Sequence, residues 1–332
     1  MHGAALLPIH EALPALRSAL THGVSAVLEA PPGAGKTTVV PLELLKEPWL
    51  GERRIVMLEP RRVAARAAAA RMARLLGESL GETVGYRVRQ DTVVGPKTRL
   101  EVVTEGVLTR MLQHDPGLTD IGLVIFDEFH ERSLHADLGL ALTLEVRRLL
   151  RPDLRLLVMS ATLDGVTVAQ LLDGAPVIVS AGRTHPVETR HRPIREGTRR
   201  ESAVAGVIRE ALDEAGDLLV FLPGAREIRN VERLLAAAAL PSGVRVVPLH
   251  GTLSAALQDD ALAAAQPGRR KVVLATAIAE TSLTIDGVRV VVDAGLMRVP
   301  RFSPRTGMTR LETVRVTRAS ADQRRGRAGR QG

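Results

Sequence analysis

"VSAVLEAPPGAGKTT", residues 24 to 38, carries an apolar β-type run into a glycine turn that ends in Lys-Thr. A strand that enters such a turn and reopens as a helix fits the phosphate-binding loop G-x-x-x-x-G-K-[ST]. Gly33 and Gly35 let the backbone curl its N–H groups around phosphate oxygens, and Lys36 brings positive charge to the terminal phosphates. The Thr37 hydroxyl suits a magnesium ligand, and Ala34 and Thr38 complete the nucleotide-binding set. Ala30 stands where the strict pattern has its first glycine. The competing reading is a glycine-rich strand-to-helix turn with no ligand, and the elements on either side weigh against it.

A phosphate loop needs an acidic partner, and "FDEFHERSLHAD" (126–137) offers two chemistries. His130-Glu131 followed by His135 resembles a zinc-protease helix, but that site needs histidines at i and i+4 on one face. The spacing here is i+5, which sets the imidazoles about 140° apart on a helix. The chain has no Cys, so a thiolate zinc site is excluded as well. Asp127-Glu128 follows the apolar run Gly122–Phe126 and reads instead as a Walker B, at the sheet edge where α/β folds bind ligands. Asp127 then holds magnesium, and Glu128 takes a proton from the attacking water. The alternative is two acids that cap the next helix.

Composition sets wider bounds. At 332 residues the chain is long for one core and ample for two domains. Its 45% hydrophobic and 25% charged residues are ordinary for a globular protein, and no apolar stretch reaches the length of a membrane span. The start, "MHGAALLPIHEALPALRSAL", lacks a basic n-region and reads as an amphipathic helix. The absence of Cys fits a reducing cytoplasm. Lys and Arg outnumber Asp and Glu by 45 to 37, a charge of +8 that argues for a polyanionic partner. With one Trp, one Tyr and four Phe, a base-stacking aromatic platform is disfavoured, so contact through phosphates and sugars is expected.

Near-continuous apolar runs at 24–30, 53–60, 98–106, 123–128, 155–162 and 176–180 alternate with Ala/Leu/Arg helical stretches. That grammar predicts a parallel sheet covered on both faces. A polar, basic segment, 182–202, then separates it from further strands at 217–224, 244–251, 271–277 and 288–295. The fold class is therefore α/β, with two domains of similar build in tandem, 1–183 and 184–332. The second ends in "SADQRRGRAGR" (320–330), whose arginines have the planar fork that suits a transferring phosphoryl group. A solvated basic tail is the bland alternative.

The motifs "GAGKTT", "EPRRVAAR" (59–66), "TEGVLTR" (104–110), "DEFHERS", "SAT" (160–162), "ATAIAETSLTI" (275–285) and "QRRGRAGR" (323–330) occur in one order. In that order and over almost the whole chain, the sequence resembles the DEAH/RHA-type superfamily 2 helicases, and looks most like their bacterial HrpB branch. The resemblance implies two RecA-like P-loop domains with mainly parallel sheets, and an NTP-dependent RNA helicase that moves 3′ to 5′. It implies ATP or another NTP with Mg2+ as cofactors. The implied partner is single-stranded RNA, or structured RNA with a 3′ tail, bound by a monomer without membrane contact.

Carried residue by residue, the resemblance gives Gln323 to the attacking water and makes Arg327 and Arg330 arginine fingers. His130 becomes a nucleotide sensor, while Ser160 and Thr162 couple hydrolysis to domain movement. Arg61, Arg62, Thr104 and Thr276 are assigned to the RNA backbone, and Asp286 to the ribose. Arg71 matches one partner of an adenine sandwich, and Leu262 falls where the second, aromatic partner would be. Phe129 and Ala277 depart from the family's usual Ala and Asn.

A β-hairpin is implied at about 297–317, where Pro-Arg-Thr-Gly makes a turn between alternating residues. The resemblance gives it a part in strand separation. Residues 298–330 hold ten Arg against Glu312 and Asp322, so the positive field should concentrate there. RecA-like domains normally continue past the arginine motif, so the chain is expected to be truncated there, with weak RNA stimulation and little processive unwinding. Two other classes remain open: a P-loop switch or assembly module, and a polymer-binding platform with decayed catalysis.

Overall fold

Strand β1 (Ser25–Glu29) sends Ala26 and Leu28 to one face of a sheet and Val27 to the other, and all three are fully buried. This two-sided burial is what an apolar run without polar alternation demands. The computed structural model describes residues 7–161, 165–181, 185–280, 283 and 285–330, apart from the Arg330 side chain. They fall into two compact units, Met1–Arg183 and Thr184–Gly332.

In the first unit the sheet continues with β2 (Arg54–Leu58), β3 (Val84–Val88), β4 (Asp91–Val93), β5 (Leu100–Val103), β6 (Ile121–Phe126), β7 (Arg155–Ser160) and β8 (Val177–Val179). Their order is β4-β3-β5-β2-β6-β7-β1-β8, parallel throughout except for β4. One face is covered by α1 (Ile9–His22), α2 (Lys36–Leu44) and α3 (Arg62–Leu76). The other is covered by α4 (Glu105–His114), α5 (Leu134–Leu149) and α6 (Gly165–Leu171). Helix α1 buries Ile9, Ala12, Leu13, Leu16 and Leu20, a stripe at helical spacing. Each fully buried Leu of this kind stabilises the fold by about 1.5–3 kcal/mol.

The second unit carries α7 (Arg200–Ala211), β9 (Asp217–Phe221), α8 (Ala225–Ala237), β10 (Val244–Leu249), α9 (Ala255–Leu262), β11 (Arg270–Ala275) and β12 (Val288–Asp293). The four strands form a parallel sheet in the order β10-β11-β9-β12. Ile208 of α7 and Ile228, Val231 and Leu235 of α8 pack with Leu218, Val220, Val272 and Leu274 on one face. An antiparallel ribbon follows, β13 (Leu296–Ser303) and β14 (Met308–Arg315), closed by a turn at 304–307. It leads into α10 (Arg318–Arg325). No helix among the described residues is long and apolar enough to cross a membrane.

The strand runs read from the sequence all appear, and so does the ribbon. The β3–β4 pair at the sheet edge was not among them. Its residues are Arg87, Gln90 and Asp91 as much as Val and Tyr, and its turn passes through Gln90 at φ 64° with no glycine to announce it.

Candidate active site

The loop between β1 and α2 holds Gly33 and Gly35 at φ 88° and 98°, where a side chain would be strained. At Gly35 a Cβ would also stand 2.9 Å from Leu7 Cδ1 of the N-terminal segment. The helix therefore opens with Lys36 and Thr37 aimed back along the sheet edge. Two strands away in the sheet order, β6 ends at the same edge, with β7 between.

Here the loop meets the acids. The Lys36 ammonium donates to Glu128 Oε1 at 3.0 Å, and the Thr37 hydroxyl donates to Asp127 Oδ2 at 2.5 Å. Asp127 Oδ1 accepts the Glu128 N–H at 2.8 Å. Lys36, Asp127 and Glu128 are each buried, so the pairs act in a low dielectric. Glu128 lies at φ 49° and ψ 35°, a left-handed conformation that costs a non-glycine residue about 1–3 kcal/mol. The two acids do not cap a long helix: a single 3-10 turn, Phe129–Glu131, follows them.

His130 sits in that turn while His135 belongs to α5, so the two histidines occupy separate elements. The His130 Nδ1 lies 3.4 Å from Glu128 Oε2 and accepts the Ala161 N–H at 3.4 Å. It thus bridges the carboxylate and the end of β7, beside Ser160, whose carbonyl takes the Ala30 N–H at 3.0 Å. Thr162, expected beside Ser160 as a coupling residue, lies outside the described residues.

Arg61 precedes α3 and donates twice to Glu131 Oε2, at 3.3 and 3.1 Å, which joins it to the acid segment. Arg62 is exposed, and Thr104 stands before the first turn of α4. Its neighbour Glu105 accepts the Ser133 hydroxyl at 2.7 Å. Arg71 is exposed on α3.

In the second unit, Thr276 precedes a 3-10 turn, Asp286 lies half-buried before β12, and Leu262 is half-buried at the end of α9. Gln323 is half-buried on α10. Arg327, expected as a finger, is 5% exposed. Its guanidinium donates to the carbonyls of Glu280, at 3.0 Å from Nε, and of Leu283, at 2.6 Å. In this conformation it braces the loop before β12. The Arg330 side chain lies outside the described residues.

Glu280 and Glu59 have no role assigned from the sequence, and Arg324 appears there only as one of the arginines of 320–330. Glu280 is buried and accepts Arg324 Nε at 2.9 Å and the Ser320 hydroxyl. Arg324 also reaches Asp293 at 2.9 Å and lies over the Phe221 ring at 4.9 Å. Glu59 follows the last residue of β2, the strand next to the one that leads into the acids, and is 0% exposed. Burial first, then the charges of Asp127 and Glu128, push its carboxyl well above the usual range. Burial and Glu128 also raise Asp127, against the pull of Lys36 and the Thr37 hydroxyl. The signal for Glu59 was its place in "EPRRVAAR", one residue past the apolar run. Phe302 is 64% exposed on the arginine-rich ribbon, while Phe126, Phe129 and Phe221 are buried.

A lysine and a hydroxyl from a glycine loop, held against two carboxylates at the edge of a RecA-like sheet, suit one reaction class, hydrolysis of a nucleoside triphosphate. Comparison with known families is specific: the model for the DEAD/DEAH box helicase matches residues 10–171, and that for the helicase conserved C-terminal domain matches 203–332. Together the two models describe most of the chain as a DEAD/DEAH box helicase domain followed by a helicase conserved C-terminal domain. It is 56% identical over 325 residues to the ATP-dependent RNA helicase HrpB of Escherichia coli (strain K12), across 98% of this chain and 40% of that protein. It is 36% identical over 329 residues to the HrpA homolog of Haemophilus influenzae, across 98% of this chain and 25% of that one. The crystal structure of the E. coli DEAH/RHA helicase HrpB superposes with a TM-score of 0.91 at 56% identity, over 98% of this chain and 41% of that chain. The chain thus spans about two-fifths of the length of its HrpB relative.

Proposed function

We propose that this chain is the motor of an NTP-dependent RNA helicase, coupling hydrolysis to 3′-to-5′ movement on single-stranded RNA in the cytoplasm. The observation that supports this most is the convergence of Lys36 and Thr37 on Glu128 and Asp127. Lys36 leaves Glu128 for the terminal phosphates when nucleotide binds. Thr37 and Asp127 would hold Mg2+, which supplies charge neutralisation to the phosphate oxygens when bound. Freed of Lys36, Glu128 orients a water and accepts its proton at a carboxylate oxygen as the water oxygen attacks the terminal phosphorus. The bond from phosphorus to the bridging oxygen breaks, and its electron pair leaves with the nucleoside diphosphate.

His130 and Ser160 report the state of Glu128 to the end of β7. Gln323 and Arg330 of the second domain are proposed to complete the reaction. Arg61, Arg62, Thr104 and Thr276 are proposed to hold the RNA backbone through contacts that carry no sequence information. A duplex with a 3′ single-stranded tail should be opened in the presence of ATP and Mg2+, and one with a 5′ tail should not. Equal opening of both would reject the direction, and opening of neither by a longer polypeptide would reject the helicase reading.

A further inference from the structure

Beyond the acids that the sequence assigns, the sheet edge carries a third carboxylate. Strands β2 and β6 are parallel neighbours whose last registered pair is Leu58 and Phe126. One step further, Glu59 therefore stands beside Asp127. The backbone fixes both: the Asp127 N–H donates to the Leu58 carbonyl at 3.1 Å and the Glu59 N–H to the Val103 carbonyl at 2.9 Å. Glu59 is wholly inaccessible, and among the described residues no N–H or hydroxyl donor reaches either of its carboxylate oxygens. What it faces is the Asp127 carboxyl, another acceptor. Three carboxylates, of Glu59, Asp127 and Glu128, thus share one buried ammonium, that of Lys36. A buried carboxylate without a donor is costly, and here either a proton shared with Asp127 or a ligand's hydrogen can supply one.

We propose that Glu59 is a positioning residue of the metal half of the site: its carboxylate accepts hydrogen bonds from water on the divalent cation held by Thr37 and Asp127. The proposal rests on the nucleotide-hydrolase reading above. Its chemistry is general: groups behind a metal ligand orient that ligand and the metal's waters, and their loss lowers metal affinity about 10- to 100-fold. Glu59 is suited to this because its backbone N–H is tied to the neighbouring strand and its side chain is wholly buried beside Asp127. The rival is a purely structural Glu59, a carboxylic acid that donates to Asp127 and braces it.

Glu59→Gln separates the two, since glutamine has the shape of the protonated acid and keeps a donor for Asp127. The probe is a fluorescent N-methylanthraniloyl ADP, titrated into the full chain in EDTA and at a series of Mg2+ concentrations, with Asp127→Asn as reference. We expect Glu59→Gln to bind the probe in EDTA like the parent, and to need about tenfold more Mg2+ for the magnesium-dependent gain. An unchanged Mg2+ requirement would overturn the proposal in favour of the brace, and so would an equal loss with and without Mg2+. If the glutamine variant does not fold by circular dichroism, Glu59→Asp is read in the same titration. It retracts the carboxylate by one methylene, and a parent-like Mg2+ requirement would again overturn the proposal. A parent chain that binds no probe, or gains nothing from Mg2+, would instead reject the underlying nucleotide-site reading.

Discussion

The ammonium of Lys36 and the carboxylate of Glu128 are 92 residues apart in sequence and 3.0 Å apart in space. The group expected to hold phosphate thus guards the group expected to activate water. Glu128→Gln removes the base but keeps a neutral partner for Lys36 and leaves Thr37 and Asp127 as they are. Nucleotide affinity should stay within a few-fold, while turnover falls by about 10²–10⁴, the usual contribution of a general base. Lys36→Ala should lower both. Parallel binding and single-turnover measurements decide this, and parent-rate hydrolysis by Glu128→Gln would remove Glu128 from the role of base.

Base discrimination should be weak. Arg71 is exposed and is proposed to lie on one side of a nucleobase, while Leu262, proposed for the other side, has no π face. Hydrolysis of the four common NTPs is expected to agree within about tenfold, roughly 1.4 kcal/mol. Initial rates at matched concentrations test it, and strict use of ATP would mean that another group reads the adenine.

The buried knot in the second domain should matter for folding more than for chemistry. Arg324 is 1% exposed and is held by Glu280 and Asp293. Truncating one member leaves an uncompensated buried charge, which costs about 3–5 kcal/mol. Arg324→Ala should therefore lower the stability of the second domain by that order in urea denaturation. Replacement of Arg325, on the exposed side of the same helix, should change it by less than about 0.5 kcal/mol.

What the sequence disclosed follows from contiguity. The phosphate loop, the acid pair and the strand runs are each local, so spacing and periodicity reveal them. Glu59 is different: its meaning comes from strand order, which sets β2 against β6, and no window around residue 59 contains Asp127. The inward packing of Arg324 and Arg327 was hidden for a related reason. A run of arginines gives charge, but only packing decides which guanidiniums turn inward onto Glu280 and which remain outside. The β3–β4 edge escaped because polar residues and a turn without glycine erased its pattern.

The exposed ribbon gives a test of nucleic-acid contact. Phe302 pairs across the ribbon with Thr309, and Pro300 and Leu311 pair one step along the same face. Arg301 and Arg310 pair on the opposite face, so one face of the ribbon is basic while the other presents an aromatic that suits an unstacked base. Phe302→Ala should cost about 1–3 kcal/mol of single-strand RNA affinity and leave nucleotide binding alone. Fluorescence anisotropy with a labelled oligonucleotide measures it, and unchanged affinity would take the ribbon out of the RNA path.

Coupling between nucleotide and RNA is the claim on which the rest depends. Its most direct measurement is steady-state ATP hydrolysis by this chain with and without single-stranded RNA, across a series of salt concentrations. Slow hydrolysis alone, a rise with RNA at low salt, and loss of that rise as salt displaces the phosphate contacts are expected. Hydrolysis at one rate regardless of RNA and salt would contradict the coupling and describe a P-loop switch instead.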